Sequence, residues 1–329
     1  MKGHAIKTLQ ATIGLAAAGT VLLLAGSVEA QLIEPVQRTF SFGVTLAGHD
    51  LNGVSLNGEI LDGKRVRAVS FHDARRDGEP MQSVWLNRTR LRGFDARWRP
   101  VSHRRMEGTI LTAELDDGEL IRLRIEETYR DPNQHNRDLW LYRVGYQTAG
   151  DWLPLCGVDG DGDPIAAIPL QDVWDYSQGT AGGGSRSQDS SAFTFACRGH
   201  ALAKCVEAGY EPWRRTITVV PGEGASFGTL AAHHQACTRM LRADYCGDGT
   251  SHTEDDTLVN IYDDFDVRRD ELEWSFEAEW DEHGAICAVR ERIPGDDPDC
   301  MDWLVDETCG DPVHFDDGVL LMSEIEPSD

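Results

Sequence analysis

Apolar and polar side chains alternate along much of the first half of the chain, with the period of a half-buried β-strand. The run Ile110–Leu115 is followed by an Asp117-Gly118 turn and then by Ile121–Ile125, whose apolar residues alternate with charged ones. This order predicts a β-hairpin. A third strand is predicted at Leu139–Gln147, which carries aromatic and aliphatic residues on one face.

Two stretches in the second half have the period of an amphipathic helix. The first is Arg198–Ala208, which ends at Gly209, and the second is Thr229–Ala243. The two-residue alternation returns at Leu272–Trp280, and a Glu-His-Gly turn leads from it into a partner strand at Ile286–Val289.

Before the first hairpin, leucine recurs at every fifth residue, and a glycine follows two residues after each leucine. The positions are Leu46, Leu51, Leu56 and Leu61, with Gly48, Gly53, Gly58 and Gly63. Neither a helix nor a strand has this period, which resembles that of the pentapeptide-repeat family. The resemblance implies a short right-handed β-coil that extends a neighbouring sheet, with an apolar register continuing through Val66 and Phe71.

The first thirty residues have the three parts of a secretory signal peptide. Lys2 and Lys7 precede an apolar run at Ile13–Leu24, and small residues lead to a cleavage site near Ala30. The apolar run is too short to remain as a membrane span, and no later segment reaches the roughly twenty apolar residues that a span needs. We therefore expect a secreted protein, periplasmic or extracellular, with no transmembrane segment in the mature chain.

All eight cysteines lie in the second half of the chain. They are Cys156, Cys197, Cys205, Cys237, Cys246, Cys287, Cys300 and Cys309. An even number in an exported chain predicts four disulfides, and the absence of closely spaced cysteine pairs argues against a zinc site.

Helix geometry restricts how these cysteines can pair. Residues eight or nine apart on one helix are about 12–13 Å apart, beyond the roughly 7 Å limit for a bridge. If the two helices are antiparallel, the spacings predict Cys205–Cys237 and Cys197–Cys246 as two cross-links between them. A local Cys300–Cys309 bridge is allowed, which leaves Cys156 with Cys287.

These elements predict an α+β fold. The N-terminal half is expected to be β-rich, with the short pentapeptide-like coil plus antiparallel strands, and the C-terminal half to be disulfide-rich α+β with two cross-linked helices. The predicted organisation is a signal peptide at 1–30, a β-rich region at 31–150, a disulfide-rich domain at 151–322 and a polar tail at 323–329.

The residues around the two predicted helices carry a second resemblance. The tetrapeptide Ala243-Asp244-Tyr245-Cys246 lies in the second of two segments, Phe195–Cys205 and His234–Gly249. These two segments closely resemble the ADYC-domain family of exported bacterial proteins. The similarity is expected to run from about Trp152 to Leu321. The family carries no established activity, so the resemblance implies no chemistry.

Charge is distributed unevenly along the chain, whose formal net charge is −25. Lys64–Arg105 holds twelve Lys/Arg against four Asp/Glu, whereas Asp244–Asp329 holds four against twenty-eight. We expect the two regions to attract one another. The acidic total argues against nucleic acid as a partner. An anionic envelope polymer, or a protein, is the partner that the basic stretch could bind.

Gly224–Gly228 matches the G-x-S-x-G motif of serine hydrolases, with Ser226 as the candidate nucleophile. Asp263 and His314 follow in the chain order of a catalytic triad. A Pro-Gly-Glu segment separates the motif from the strand before it, so the sharp elbow is lost. Ser226 is therefore preferred as a helix-entry residue.

Asp159, Asp161 and Asp163 alternate with glycine, a spacing in which carboxylates can converge on calcium. An EF-hand would continue with glycine and end in glutamate, but Pro164 and Leu170 occupy those positions. A tight turn is the preferred interpretation.

The sequence thus favours a non-enzymatic binding or structural module stabilised by four disulfides, with no cofactor. The alternatives are a secreted serine hydrolase that uses Ser226 and a calcium-dependent adhesion module that uses the aspartate turn.

Overall fold

The computed structural model describes residues 55–59, 63–133, 138–220, 224–254, 257–270, 273–306 and 308–326. Of the described residues, 39% are in strands and 13% are in helices, and six of the strands close into a barrel. The fold is therefore mostly β, and the predicted α+β class is wrong. The two predicted helices exist but are short, whereas strands from both halves of the chain build the main sheet.

The strands of the first half are β1 (Val66–Ser70), β2 (Arg75–Arg76), β3 (Glu79–Pro80), β4 (Ser83–Asn87), β5 (Arg90–Phe94), β6 (Pro100–Ser102), β7 (Ile110–Leu115), β8 (Leu120–Arg130), β9 (Trp140–Gln147) and β10 (Trp152–Pro154). Those of the second half are β11 (Ala167–Gln171), β12 (Val173–Trp174), β13 (Arg186–Ser187), β14 (Ala192–Cys197), β15 (Arg215–Val220), β16 (Gly224–Thr229), β17 (Val259–Tyr262), β18 (Ser275–Asp281), β19 (Gly284–Ala288) and β20 (Leu321–Ile325). The α-helices are α1 (Ala201–Glu207), α2 (Ala231–Leu241) and α3 (Met301–Leu304), and 3-10 helices lie at His103–Met106 and Pro312–Asp317.

The barrel has the antiparallel strand order β1-β14-β11-β9-β8-β7, and pairing of β1 with β7 closes it. Val69 pairs with Phe193 on one side and with Ala113 on the other. Leu111 and Leu123 point inward and are fully buried, because every second side chain of a barrel strand faces the interior. Closure leaves these six strands without a free edge.

The predicted hairpin is confirmed as β7 and β8, and the predicted third strand as β9. The sequence did not predict that β11 and β14, from the cysteine-rich half, complete the same barrel. Their burial on both faces follows from α1, which packs against β14 on the outside.

The leucine repeat lies mostly outside the described residues, since Leu46, Leu51 and Leu61 are not among them. Leu56 is buried, and its carbonyl accepts a hydrogen bond from the Leu202 amide at the start of α1. Val66, where the leucine register continues, lies in barrel strand β1, which pairs antiparallel with β7 and β14 and has a register shift between Val66 and Ala68.

A smaller unit packs α2 and α3 against the four-stranded sheet β17-β20-β18-β19, and α1 packs against α2. Its core includes Met240, Trp280 and Leu321, all fully buried. The predicted strand pair is confirmed as β18 and β19. None of the helices in the described ranges has both the length and the hydrophobicity that a membrane crossing requires.

All eight cysteines are paired. The bridges are Cys156–Cys197, Cys205–Cys237, Cys246–Cys300 and Cys287–Cys309, with Cα–Cα distances of 5.4, 5.8, 5.4 and 6.0 Å. Four disulfides indicate an oxidising, extracytoplasmic compartment.

The predicted Cys205–Cys237 link between α1 and α2 is confirmed. The predicted Cys197–Cys246, Cys156–Cys287 and Cys300–Cys309 pairs are wrong. Cys197 ends β14 before the first helix begins, and Cys246 lies beyond the end of the second, so neither cysteine lies on the helical face that the prediction assumed.

Candidate functional site

The tetrapeptide Ala243-Asp244-Tyr245-Cys246 begins just after the end of α2. Ala243 is fully buried and has a left-handed backbone, with φ at +49°. The Asp244 amide donates to the Arg239 carbonyl and the Ala243 amide to the Met240 carbonyl. This is the Schellman arrangement that satisfies the last carbonyls of a helix, with alanine in the place usually held by glycine.

Asp244 is fully buried and holds the following turn. Its carboxylate accepts hydrogen bonds from the Asp248 and Gly249 amides at 3.1 Å and pairs with the Arg239 guanidinium. Arg242 lies 3.7 Å from the same carboxylate. Asp244 therefore both caps the turn after α2 and forms an ion pair with Arg239.

The Gly/Ser-rich segment 179–191 contacts this turn. Arg239 donates to the Gly183 carbonyl and, at 2.8 Å, to the Ser185 hydroxyl. A Cβ on Gly183 would lie 2.1 Å from the Asp248 carbonyl oxygen. The glycine is therefore required for the two backbones to touch.

Tyr245 continues the same buried network. Its hydroxyl donates to Glu277 at 2.7 Å and accepts from the Arg292 amide at 2.7 Å, while its ring stacks on Trp280. The Arg292 guanidinium forms two bonds with the Glu277 carboxylate and donates to the Met240 carbonyl at 2.7 Å, so it caps α2.

Each residue of the tetrapeptide thus forms an interaction within the protein. The alanine reverses the chain, the aspartate and tyrosine hydrogen-bond to buried groups, and Cys246 bridges to Cys300. The tetrapeptide therefore stabilises the smaller unit.

The candidate catalytic residues are positioned in three different environments. Ser226 lies in the exposed strand β16, opposite Thr218 of β15, and not at a strand-to-helix elbow. It is therefore not a helix-entry residue either. Asp263 is buried and accepts a hydrogen bond from the Tyr210 hydroxyl at 2.8 Å. His314 pairs through Nδ1 with Glu279 at 2.6 Å.

The aspartate-rich segment forms a turn. The Asp159 carboxylate accepts from the amides of Asp161 and Asp163 at 3.0 and 2.9 Å, so it is used to close the loop. In the described ranges, no group of three or more His, Cys, Asp or Glu side chains is arranged to hold a metal ion.

A cleft of about 630 Å³ lies at one end of the barrel. Its walls come from β6, the 3-10 helix after it, the end of β8 and the start of β9. It is lined by Pro100, Ser102, His103, Arg104, Arg105, Thr128, Tyr129, Arg130 and Trp140.

Trp140 forms the centre of this basic and aromatic cleft. The guanidinium carbons of Arg90 and Arg130 lie 5.7 and 5.6 Å from its ring centroid, within cation-π range. The His103 ring centroid lies 4.4 Å away. The Trp140 side chain is 8% exposed, and its buried indole Nε1 has no hydrogen-bond partner in the described structure, although buried indole N–H groups usually find one.

The fold holds Trp140 firmly in place. Its amide donates to the Thr89 hydroxyl at 2.9 Å, and the neighbouring Tyr142 hydroxyl accepts from the Leu91 amide at 2.9 Å. These bonds join the three-stranded sheet β4-β5-β6 to the end of the barrel. His103 has a left-handed backbone, with φ at +56°, a strained conformation of the kind that concentrates at ligand sites.

The cleft has a positive electrostatic environment. Burial and the charges of Arg90, Arg92 and Arg130 lower the pKa of His103. Among the described residues, no carboxylate forms an ion pair with Arg90, Arg104 or Arg130.

The basic stretch Lys64–Arg105 was expected to attract the acidic end of the chain. Its described ion pairs are instead with first-half carboxylates: Lys64 with Asp117 and Glu119, Arg65 with Glu59, Arg67 with Glu114, and Arg99 with Asp95.

Sequence reasoning did not single out Trp140, Arg130 or His103. Trp140 was assigned only to one face of the third strand. The available signal was the density of arginines between residues 88 and 105, next to an aromatic strand.

A six-stranded antiparallel barrel, joined to a helix-and-sheet unit and held by four disulfides, defines a mostly-β disulfide-stabilised module. The family model of the ADYC domain matches residues 103–294, more than half of the chain. The chain therefore belongs to the ADYC-domain family. The match begins earlier and ends earlier than the expected 152–321, and it includes much of the barrel. No curated protein and no solved structure matches the chain.

Proposed function

We propose that this protein is an exported, non-enzymatic binding module whose cleft at the end of the barrel holds an anionic ligand. The observation that carries the proposal is that the guanidinium groups of Arg90 and Arg130 both lie within cation-π distance of the Trp140 ring, in a cleft that is also lined by Arg104 and Arg105. Export is supported by the four disulfides and by the signal-peptide pattern of residues 1–30.

Several features favour an anion over a cation or a neutral ligand. Guanidinium groups bind carboxylates and phosphates through two parallel hydrogen bonds. The arginines of the cleft have no described carboxylate partner, so a ligand would not need to displace an internal ion pair. Burial lowers the pKa of His103, and the neighbouring arginines lower it further, because a proton on that ring would add another cation to the cluster.

The test is calorimetric titration of the mature, oxidised protein with three polyanions, polygalacturonate, poly-L-glutamate and polyphosphate, at low ionic strength. We expect at least one to bind, because unscreened arginines attract anions over a distance of about 10 Å at 0.1 M salt. The double variant Arg104→Gln/Arg130→Gln is expected to lower the affinity at least tenfold, since a charged hydrogen bond contributes about 1.5 kcal/mol or more.

The matched control removes the same two charges elsewhere. Arg122 and Arg215 are exposed on β8 and β15, and Arg122 is eight residues along β8 from Arg130, about 26 Å at the usual strand rise. Arg122→Gln/Arg215→Gln is expected to bind as the wild type does. An equal loss in both double variants, or no binding of any polyanion, would refute the proposal.

A further inference from the structure

Three aromatic rings form a ladder on the outer surface of the sheet β4-β5-β6. The ring centroids of Trp85 and Phe94 are 5.6 Å apart, and those of Phe94 and Trp98 are 6.0 Å apart. Trp85 is 37% exposed and Trp98 is 66% exposed. Rings of this size usually lie in a core, where they bury 150–250 Å² each, so an exposed row of them is a feature that requires explanation.

The ladder lies on the same face of the sheet as the wall of the cleft. Phe94 pairs directly with Pro100 across β5 and β6, and Arg92 pairs with Ser102 in the next row. Directly opposed residues project from the same face of a sheet. Because Pro100 and Ser102 line the cleft, the aromatic face runs into it without a break.

Arg92 lies between the ladder and the cleft. It is paired with Trp85 on one side and with Ser102 on the other, so the row alternates ring, cation and hydroxyl over two strand spacings, about 10 Å. The Arg92 Nε is buried and has no hydrogen-bond partner in the described structure. Trp98 has a left-handed backbone, with φ at +58°, which is unusual for a bulky residue and fixes the ring at the end of the ladder.

We propose that the ladder and the cleft form one extended site for an acidic oligosaccharide, a chain of hexuronate rings. This inference rests on the proposed function, since it assigns the class of the anion that the cleft holds. A pyranose ring has an apolar face of C–H groups, which stacks on an aromatic ring, and a rim of hydroxyls. Its carboxylate is the planar, two-oxygen group that a guanidinium binds through two hydrogen bonds. Rings stacked on Trp98, Phe94 and Trp85 would direct their carboxylates to Arg92 and onward to the arginines of the cleft.

A single-stranded nucleic acid also uses aromatic stacking and arginine, but the structure favours the saccharide. The chain has a net charge of −25, which repels any long polyanion beyond the site and so favours a short oligomer. The disulfides also place the protein in an extracytoplasmic compartment. An acidic peptide would use the arginines but has no rings to match the ladder.

The experiment compares three probes by calorimetric titration of the mature, oxidised protein: short oligogalacturonates, poly-L-glutamate of matched charge, and oligothymidylate. Trp98→Ala is expected to weaken oligogalacturonate binding about tenfold and to leave poly-L-glutamate binding unchanged, because only the sugar uses the rings. Trp98→Tyr is expected to restore most of the affinity. Trp85→Ala provides an independent variant at the other end of the ladder.

The outcomes separate this inference from the proposed function. If oligogalacturonate binds no better than poly-L-glutamate, and Trp98→Ala affects both equally, the saccharide assignment is wrong while the anion-binding cleft stands. Preferential binding of oligothymidylate that depends on Trp98 would replace the saccharide by a nucleic acid. If Arg104→Gln/Arg130→Gln bound all three probes as tightly as the wild type, both the saccharide assignment and the anion-binding cleft would be wrong.

Discussion

Removing the Tyr245 hydroxyl tests whether the tetrapeptide Ala243-Asp244-Tyr245-Cys246 stabilises the fold. In Tyr245→Phe, Glu277 loses one hydrogen-bond donor and the buried Arg292 amide loses its acceptor. A hydrogen bond to a charged group contributes about 1.5–3 kcal/mol, and a buried amide left without a partner costs about 1–3 kcal/mol. Because the two losses share one atom, we expect the free energy of unfolding to fall by about 3 kcal/mol, with the ring still stacked on Trp280.

The assay is urea unfolding with all disulfides intact, followed by tryptophan fluorescence. With a slope of about 3 kcal/mol per molar urea, the expected shift in midpoint is about 1 M. Tyr262→Phe is the matched control, because the Tyr262 ring packs edge-on against Phe315 and none of the described hydrogen bonds uses its hydroxyl. A midpoint shift for Tyr245→Phe no larger than that of Tyr262→Phe would refute the claim that the tetrapeptide stabilises the fold.

Three further predictions concern the loop, the buried histidines and the hydrolase alternative. Gly183→Ala is expected to lower the unfolding midpoint by at least as much as Tyr245→Phe in the same assay, because its Cβ would overlap the Asp248 carbonyl. Burial lowers the pKa of His200 and of His234 from 6.5 to about 4, so between those pH values the unfolded chain binds more protons and stability falls as the pH falls. The loss reaches about 3 kcal/mol per histidine near pH 4, and His234→Gln should remove about half of this slope in midpoints measured from pH 7 to 4; an unchanged slope would contradict it. A fluorophosphonate probe is expected to leave Ser226 unlabelled, and labelling that Ser226→Ala abolishes would restore the hydrolase alternative.

Local patterns predicted the elements that depend on neighbouring residues. The β7–β8 hairpin followed from a two-residue alternation interrupted by an Asp-Gly turn, which fixes both the strands and their register. The Cys205–Cys237 bridge followed from cysteine spacing on two helices, because a helix converts sequence separation into a known distance. The other cysteines lie on strand ends and loops, where separation along the chain gives no direction in space.

The barrel and the cleft could not be predicted in this way because both depend on distant pairings. Val69 pairs with Phe193 across more than a hundred residues, and no local pattern selects that partner over another strand. Arg130 pairs with Trp140 across β8 and β9, but Arg90 comes from β5 and reaches the ring only where the sheet β4-β5-β6 contacts the end of the barrel. The arginine density of the sequence gave the sign of the charge but not its position.

The pKa of His103 tests the central claim most directly, because this ring lies in the cleft beside the arginines. It can be followed by proton NMR titration of the histidine ring, assigned by comparison with His103→Gln, with and without saturating oligogalacturonate. A carboxylate about 6 Å from the ring contributes about 1 kcal/mol at an effective dielectric between those of the protein surface and water. The account predicts that the bound ligand raises the pKa of His103 by about one unit. A ligand that binds and leaves this pKa unchanged would contradict it.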